Sequence, residues 1–218
     1  QKNPLQNASY NFSYLFKIDS LGKELSVNVD YANFKNDLVQ NYSTTYLDQY
    51  YNNFGSPYIL KTAFPLNVDV KSAKMDYVHP IGDKIRVELG VKSSFVKTDN
   101  YSKFWQVVNN EDSLLLNRTN HFIYNENVNA GYLDYNQSVS KSVDIQIGLR
   151  CEQTIAKGEQ LTTNTSFTRN YVSFFPSAFI NWRANDNNSF NLSYSSRIDR
   201  PVYQALNPFY EYLDPYTY

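Results

Sequence analysis

Large apolar residues recur at every second position through much of the chain, the period of a strand with one face turned from water. Tyr10, Phe12, Tyr14, Phe16 and Ile18 alternate with Asn11, Ser13 and Lys17. After the turn Asp19-Ser20-Leu21-Gly22-Lys23 the pattern resumes with Leu25, Val27, Val29 and Tyr31. Two such runs around a glycine-containing turn read as a β-hairpin. The unit occurs three more times: Val68–Val78 with Ile85–Phe95, Phe122–Tyr135 with Val143–Glu152, and Tyr171–Arg183 with Ser189–Arg197.

The reading is therefore eight antiparallel strands of about ten residues, the length that crosses a bilayer when tilted. The connections fall into two kinds. Those within hairpins are short. Those between hairpins, at 35–66, 98–120, 155–170 and 198–218, are long. That asymmetry predicts an all-β fold: an antiparallel transmembrane β-barrel segment with short periplasmic turns and long extracellular loops. Trp182, Tyr77 and Ile18 near the short turns, and Phe95, Tyr31 and Tyr124 near the long connections, match two aromatic girdles, although aromatics are abundant in any β protein.

Two strands break parity. Val68 and Val70 occupy one phase and Ala73, Met75 and Tyr77 the other, which predicts a bulge near Lys71-Ser72. Pro176 lies inside a strand and cannot donate to a ladder, so a bulge or a break in pairing is expected there. Glu126 shares phase with Phe122, Tyr124 and Val128, which places it near the membrane rim or on a bulge that turns it inward.

Composition supports the β reading. The 218 residues include 27 Asn, 20 Tyr and 14 Phe, and only 19% are charged. Thr and aromatic residues suit a pleated surface better than a helix. A net charge of -1 leaves no basic footprint for nucleic acid. The only cysteine, Cys151, excludes an internal disulfide framework. Nine Asn-x-Ser/Thr triplets are what such a composition produces by chance.

Both chain ends fall on the extracellular side in this topology. Residues 1–218 are thus expected to be one barrel segment of four hairpins, incomplete and without a plug domain. His79 and His121 lie at opposite ends of the strands and cannot share a metal or a dyad, so neither catalysis, a metal nor a cofactor is expected. Arg86, Glu88, Lys92, Asp144, Arg150 and Glu152 share the polar face, where mixed charges form structural networks or meet a plug.

The run Arg197-Ile198-Asp199-Arg200-Pro201-Val202-Tyr203-Gln204-Ala205-Leu206-Asn207-Pro208-Phe209 resembles the Arg-x-x-Arg-Pro-x-x-x-x-Leu-Asn-Pro-Phe segment of the outer-membrane β-barrel family of TonB-dependent-receptor-like proteins from Bacteroidota. Gly22-Lys23-Glu24-Leu25, Gly148-Leu149-Arg150-Cys151-Glu152 and Phe174-Phe175-Pro176-Ser177 are similar to pieces of the same family, in the same order. The resemblance implies a bacterial outer-membrane barrel of roughly 22 strands when whole. It also implies a plug domain and a TonB system in transporting members, with uptake of a glycan, peptide or chelate.

Within the motif, Arg197, Arg200, Pro201, Leu206, Asn207, Pro208 and Phe209 are expected to shape the last loop more than to bind substrate. Tyr42, Tyr50, Tyr51, Tyr58 and Trp105 in the long connections are candidates for stacking on a ligand or for packing the loops together. The expected partners are outer-membrane lipid, a plug and TonB system, and a surface lipoprotein or other complex subunit. Two rival readings stand beside transport. One is a barrel that serves as an assembly platform; the other is a soluble β-sandwich module.

Overall fold

A computed structural model describes residues 5–201 and 203–207. The chain forms a single antiparallel meander: β1 (Leu5–Lys17), β2 (Glu24–Thr44), β3 (Tyr58–Ile81), β4 (Ile85–Val108), a short β5 (Glu111–Leu114), β6 (Asn120–Ser140), β7 (Val143–Gln160), β8 (Thr165–Asn185) and β9 (Asn188–Ser195). The order is β1-β2-β3-β4-β6-β7-β8-β9, and β5 is hairpinned onto β4. Among the described residues β1 and β9 are free edges, so the sheet does not close on itself. A four-residue helix, α1 (Tyr203–Leu206), follows the last strand.

The hairpin turns come out tight because their residues suit them. Asp19 accepts hydrogen bonds from the backbone N–H of Leu21 and Lys23, and Gly22 takes the left-handed conformation at φ 93°. Asn185 accepts from the Asn187 N–H in the β8–β9 turn.

One face of the lower part of the sheet is apolar. Reading across the register gives Val27, Met75, Val91, Gly131, Cys151 and Phe174, and one row below it Leu25, Tyr77, Leu89, Leu133, Leu149 and Pro176. Along β4 this band runs from Ile85 to Phe95, about 34 Å of strand, or about 25 Å along the membrane normal at the usual tilt. The opposite face carries Lys74, Lys92, Glu88, Arg150 and Glu152. Outward, the band meets lipid; inward, the sheet lines a lumen. Trp182 packs on Phe190 at 5.5 Å near the turn end, and Tyr10 on Tyr31 at 6.3 Å near the other, as aromatic girdles require.

The strands continue far past this band, and their lengths of 18–24 residues from β2 to β4 and β6 to β8 correct the expected ten. Only residues 45–57 of the 35–66 connection are loop. Most of 98–120 is β4 and β5, joined through Asn109 and Asn110, both at positive φ. The 155–170 connection is strand apart from 161–164. The long extracellular segments are mostly a raised wall of sheet.

Above the band the two faces exchange character. The inner face now holds Phe34, Val68, Tyr124 and Phe122, while the outer face holds Asn33, Asp69, Lys97 and Lys157. This exchange corrects two expectations. Register through Val70, Lys71, Ser72 and Ala73 is continuous with both neighbours, so there is no bulge there. Val68 and Val70 simply point inward, while Met75 points to lipid. Glu126, Phe122, Tyr124 and Val128 likewise face inward without any bulge, since the β6–β7 register shifts only between Ser138 and Ser140. Tyr124 is therefore not a girdle residue. Pro176 keeps the β7 register without a bulge, and the break expected there falls on its other side, where the β8–β9 ladder stops at Ser177.

Candidate functional site

The inner face carries the best-organised polar chemistry. Gly90 on β4 lies beside Tyr132 on β6 in register. A Cβ at Gly90 would collide with the Tyr132 ring, so the missing side chain is what lets the ring lie across β4. The Tyr132 hydroxyl thereby reaches Asp76 on β3, two strands away, and donates to it. Lys74 and Arg150 stand 5.7 and 5.6 Å from the Tyr132 ring. Arg150 Nε donates to Glu152 Oε1 at 2.5 Å, and Lys74 pairs with Asp76 at 2.8 Å.

The segment after β9 completes this network. Ser196 N–H donates to the Pro176 carbonyl at 3.0 Å, the last rung before the chain leaves the wall. It then crosses the inner face, where Arg200 Nη2 donates to Glu152 Oε2 and, at 3.2 Å, to Thr154 Oγ1. Leu206 and Phe167 pack on a buried cluster of Phe122, Tyr124 and Ala156. Between wall and segment lies a cavity of about 790 Å³, lined among others by Lys92, Tyr132, Asp134, Arg150, Arg197 and Arg200. Glu152 is buried and held by two arginines, as a desolvated carboxylate requires.

Other charges of the polar face are paired at shorter range: Arg86 with Glu88 at 3.1 Å, and Arg183 with Asp144 at 3.2 Å. His79 bonds Tyr77 near a turn, whereas His121 bonds Asp99 at 2.8 Å and stacks on Tyr101 at the far end. Among the described residues no group of three or more His, Cys, Asp or Glu is placed to hold a metal ion.

The motif residues divide. Arg200 is the anchor, Pro201 follows it, and Leu206 is the apolar foot. Arg197 is exposed beside the cavity, and Asn207 is half-buried at the end of α1. Pro208 and Phe209 lie outside the described residues. The contribution of Tyr132, Lys74 and Asp76 is not legible in the sequence, because its signal, Gly90 opposite Tyr132, exists only through the register of β4 and β6.

The five aromatic candidates do not converge. Tyr42 lies on β2 with inward parity and donates to Gln40 at 2.8 Å. Trp105 lies on β4 with outward parity, 5.8 Å from Lys61 Nζ, so it and Tyr42 are on opposite faces. Tyr58 opens β3. Tyr50 and Tyr51, 73% and 84% exposed, crown the 45–57 loop. Asp48 fixes that loop by accepting from the backbone N–H of Asn52 and Tyr50, and these bonds hold its carboxyl below the usual aspartate range.

A family model described as the outer membrane protein beta-barrel family matches residues 16–218, nearly the whole chain. The chain belongs to that family. No curated protein matches it in sequence. Its fold is similar to the unliganded ferric citrate transporter FecA, with a TM-score of 0.58 and 15% identity over 84% of this chain and 26% of that one. The ferric-catecholate import receptor Fiu from E. coli K12, in its closed form, gives a TM-score of 0.64 at 9% identity, over 88% of this chain and 33% of that one. The ferric yersiniabactin uptake receptor FyuA from Yersinia pestis gives 0.53 at 13%, over 83% and 26%. At such identities the likeness is one of fold, and the chain spans a quarter to a third of those structures' length. The barrel family member resides in the bacterial outer membrane, and the apolar band described above is the surface it presents to lipid.

Proposed function

We propose that this chain is part of the barrel wall of a TonB-dependent outer-membrane receptor that imports a nutrient such as a glycan, peptide or chelate. One observation carries the reading. A polar inner face is roofed by a segment anchored through Arg200 to Glu152 and Thr154, which leaves a charged cavity inside a wall folded like those of three ferric uptake proteins. Residues 1–218 act as one wall segment of four hairpins. The unpaired edges of β1 and β9 call for further strands in lipid, because backbone groups without partners are costly there. A plug domain and the TonB system are the proposed partners, and no enzymatic step or cofactor is proposed.

Substrate recognition falls to the extracellular rim. Exposed Tyr50 and Tyr51 crown the rim, and Tyr42, Tyr58 and Trp105 on the strands around them offer separate ring faces to a ligand, on both sides of the wall and not in one pocket. The alternative role, a platform for a surface lipoprotein or other subunit, is favoured by the same exposed loop, since Phe54 there is also 71% exposed.

The test uses the full-length protein. Deleting its gene should abolish growth on one member of a panel of glycans, peptides and iron chelates, and complementation should restore it. Unchanged growth and uptake across the panel, or a full-length chain without a plug domain, would sink the transport reading in favour of the platform.

A further inference from the structure

On the outward face a single cross-strand row carries Lys97 on β4, Asn125 on β6 and Lys157 on β7. The row below holds Lys71 between Tyr31 and Phe95, and then Asn127. Lys71 thus lies in the top row of the apolar band and Lys97 and Lys157 in the row above it, so the three lysines stand at its outer-leaflet edge, on the lipid side of the wall. Adjacent strands are about 4.8 Å apart, which sets the backbones of Lys97 and Lys157 about 10 Å from each other with Asn125 between. Two lysine side chains at that spacing can close on one phosphate, and the Asn125 amide between them can donate to it.

The charges are available for this. Lys71 and Lys97 make no ion pair among the described residues. Asp69, next to Lys97 in the row, is instead engaged by the Tyr31 hydroxyl and the Asn33 amide. Lys157 has Glu159 at 2.6 Å, an exposed pair of little net strength that a phosphate can share.

Directly beneath the lysines the outward face is hollowed. A depression of about 880 Å³ lies over Ala73, Val91, Gly131 and Cys151, with Ser93 Oγ donating to Asn129 Oδ1 at 2.7 Å along its upper side. Its volume is in the range of small-molecule sites, its floor is apolar, and it opens on the bilayer. A phosphate clamp directly above an apolar trough, at the depth where headgroups meet acyl chains, has the layout of a lipid site.

We propose that Lys71, Lys97 and Lys157 bind the phosphate of an outer-leaflet lipid, one of whose acyl chains lies in the trough. The inference rests on the membrane orientation of the barrel and is independent of what the barrel transports.

The test measures retention of bisphosphorylated lipid A by the full-length protein in phosphatidylcholine nanodiscs, read by native mass spectrometry. Removing a lysine near an anionic headgroup should weaken binding about fivefold, so the triple Lys71→Ala, Lys97→Ala, Lys157→Ala variant should lose roughly a hundredfold. Replacing the same three with arginine should keep binding, which also shows that the site tolerates substitution without unfolding. Gly131→Leu, which fills the trough, should weaken retention with every lysine in place. Equal retention by the triple alanine variant, or equal binding of dephosphorylated lipid A, would overturn the proposal. So would displacement of the lipid by millimolar inorganic phosphate, since the site would then read a free anion.

Discussion

The lower and upper halves of this sheet share strands, register and hydrogen bonds, yet they bury opposite faces. In the lower half Leu89, Leu133 and Leu149 point outward and Glu88, Asp134 and Arg150 point inward. In the upper half Lys97 and Lys157 point outward, and Phe122, Tyr124 and Ala156 are packed on the inside. Nothing in the backbone marks the exchange. What changes is the medium outside the wall, from hydrocarbon to water. Apolar side chains follow whichever side is free of water, which below is the lipid and above is the interior under Leu206.

The sharpest way to break the comparison is to attack the upper core. Phe122 is 1% exposed, and Phe122→Ala should cost about 3–5 kcal/mol. Hydrogen exchange should locate the loss in residues 120–126 and 155–167 and leave the membrane band protected. Loss spread evenly over the band would show that the halves are not separate.

An outward charge gives the next largest contrast. Leu149→Arg, in the middle of the band, should cost about 2–4 kcal/mol in denaturant unfolding from lipid vesicles. Thr168→Arg, in the row of Lys97 and Lys157, should stay within about 0.5 kcal/mol. Equal costs at both sites would place the membrane edge elsewhere.

A substitution on the luminal side probes the polar network of the lower half. Gly90→Val forces the Tyr132 ring off β4, which breaks its bond to Asp76 and its contacts with Lys74 and Arg150. The expected cost is about 1–3 kcal/mol, and Gly90→Val combined with Tyr132→Ala should recover part of it.

The smallest effect lies at the top of the molecule. The Asp48 carboxyl is held below its ordinary range by the N–H groups of Asn52 and Tyr50. Its contribution to loop order is therefore present above the ordinary aspartate range and is lost as pH falls through the lowered folded value. Proteolysis of residues 45–57 should accelerate on acidification in that window. Asp48→Asn should flatten the dependence, and an unchanged pH profile in that variant would show that another group is responsible.

The alternation of Tyr10 to Ile18, Ile85 to Phe95 and Val143 to Cys151 was enough to identify membrane-crossing strands, because lipid on one side and a polar lumen on the other impose period two. It stopped being readable where both sides became wet or the apolar side changed. That is why β2, β3, β4, β7 and β8 run well beyond their sequence pattern, and why a change of face at Lys71-Ser72 looked like a bulge.

Of the site, the motif arginines and the mixed charges on the polar face were legible as residue types. The bond from Arg200 to Glu152 was not, because 48 residues of chain separate the two. Nor did the sequence separate Tyr42 from Trp105, since opposite faces differ by one position of register.

What the sequence determined by itself was local: hairpins, turn chemistry, and a band of apolar side chains tall enough for a bilayer. Which partner strand lies where, how far the wall rises above the membrane, and that the segment after β9 folds inward were decided by the tertiary structure. These depend on pairings between residues tens of positions apart, where backbone bonds and burial act together. The alternating strands set only the period, and the surrounding medium chose which face would be dry.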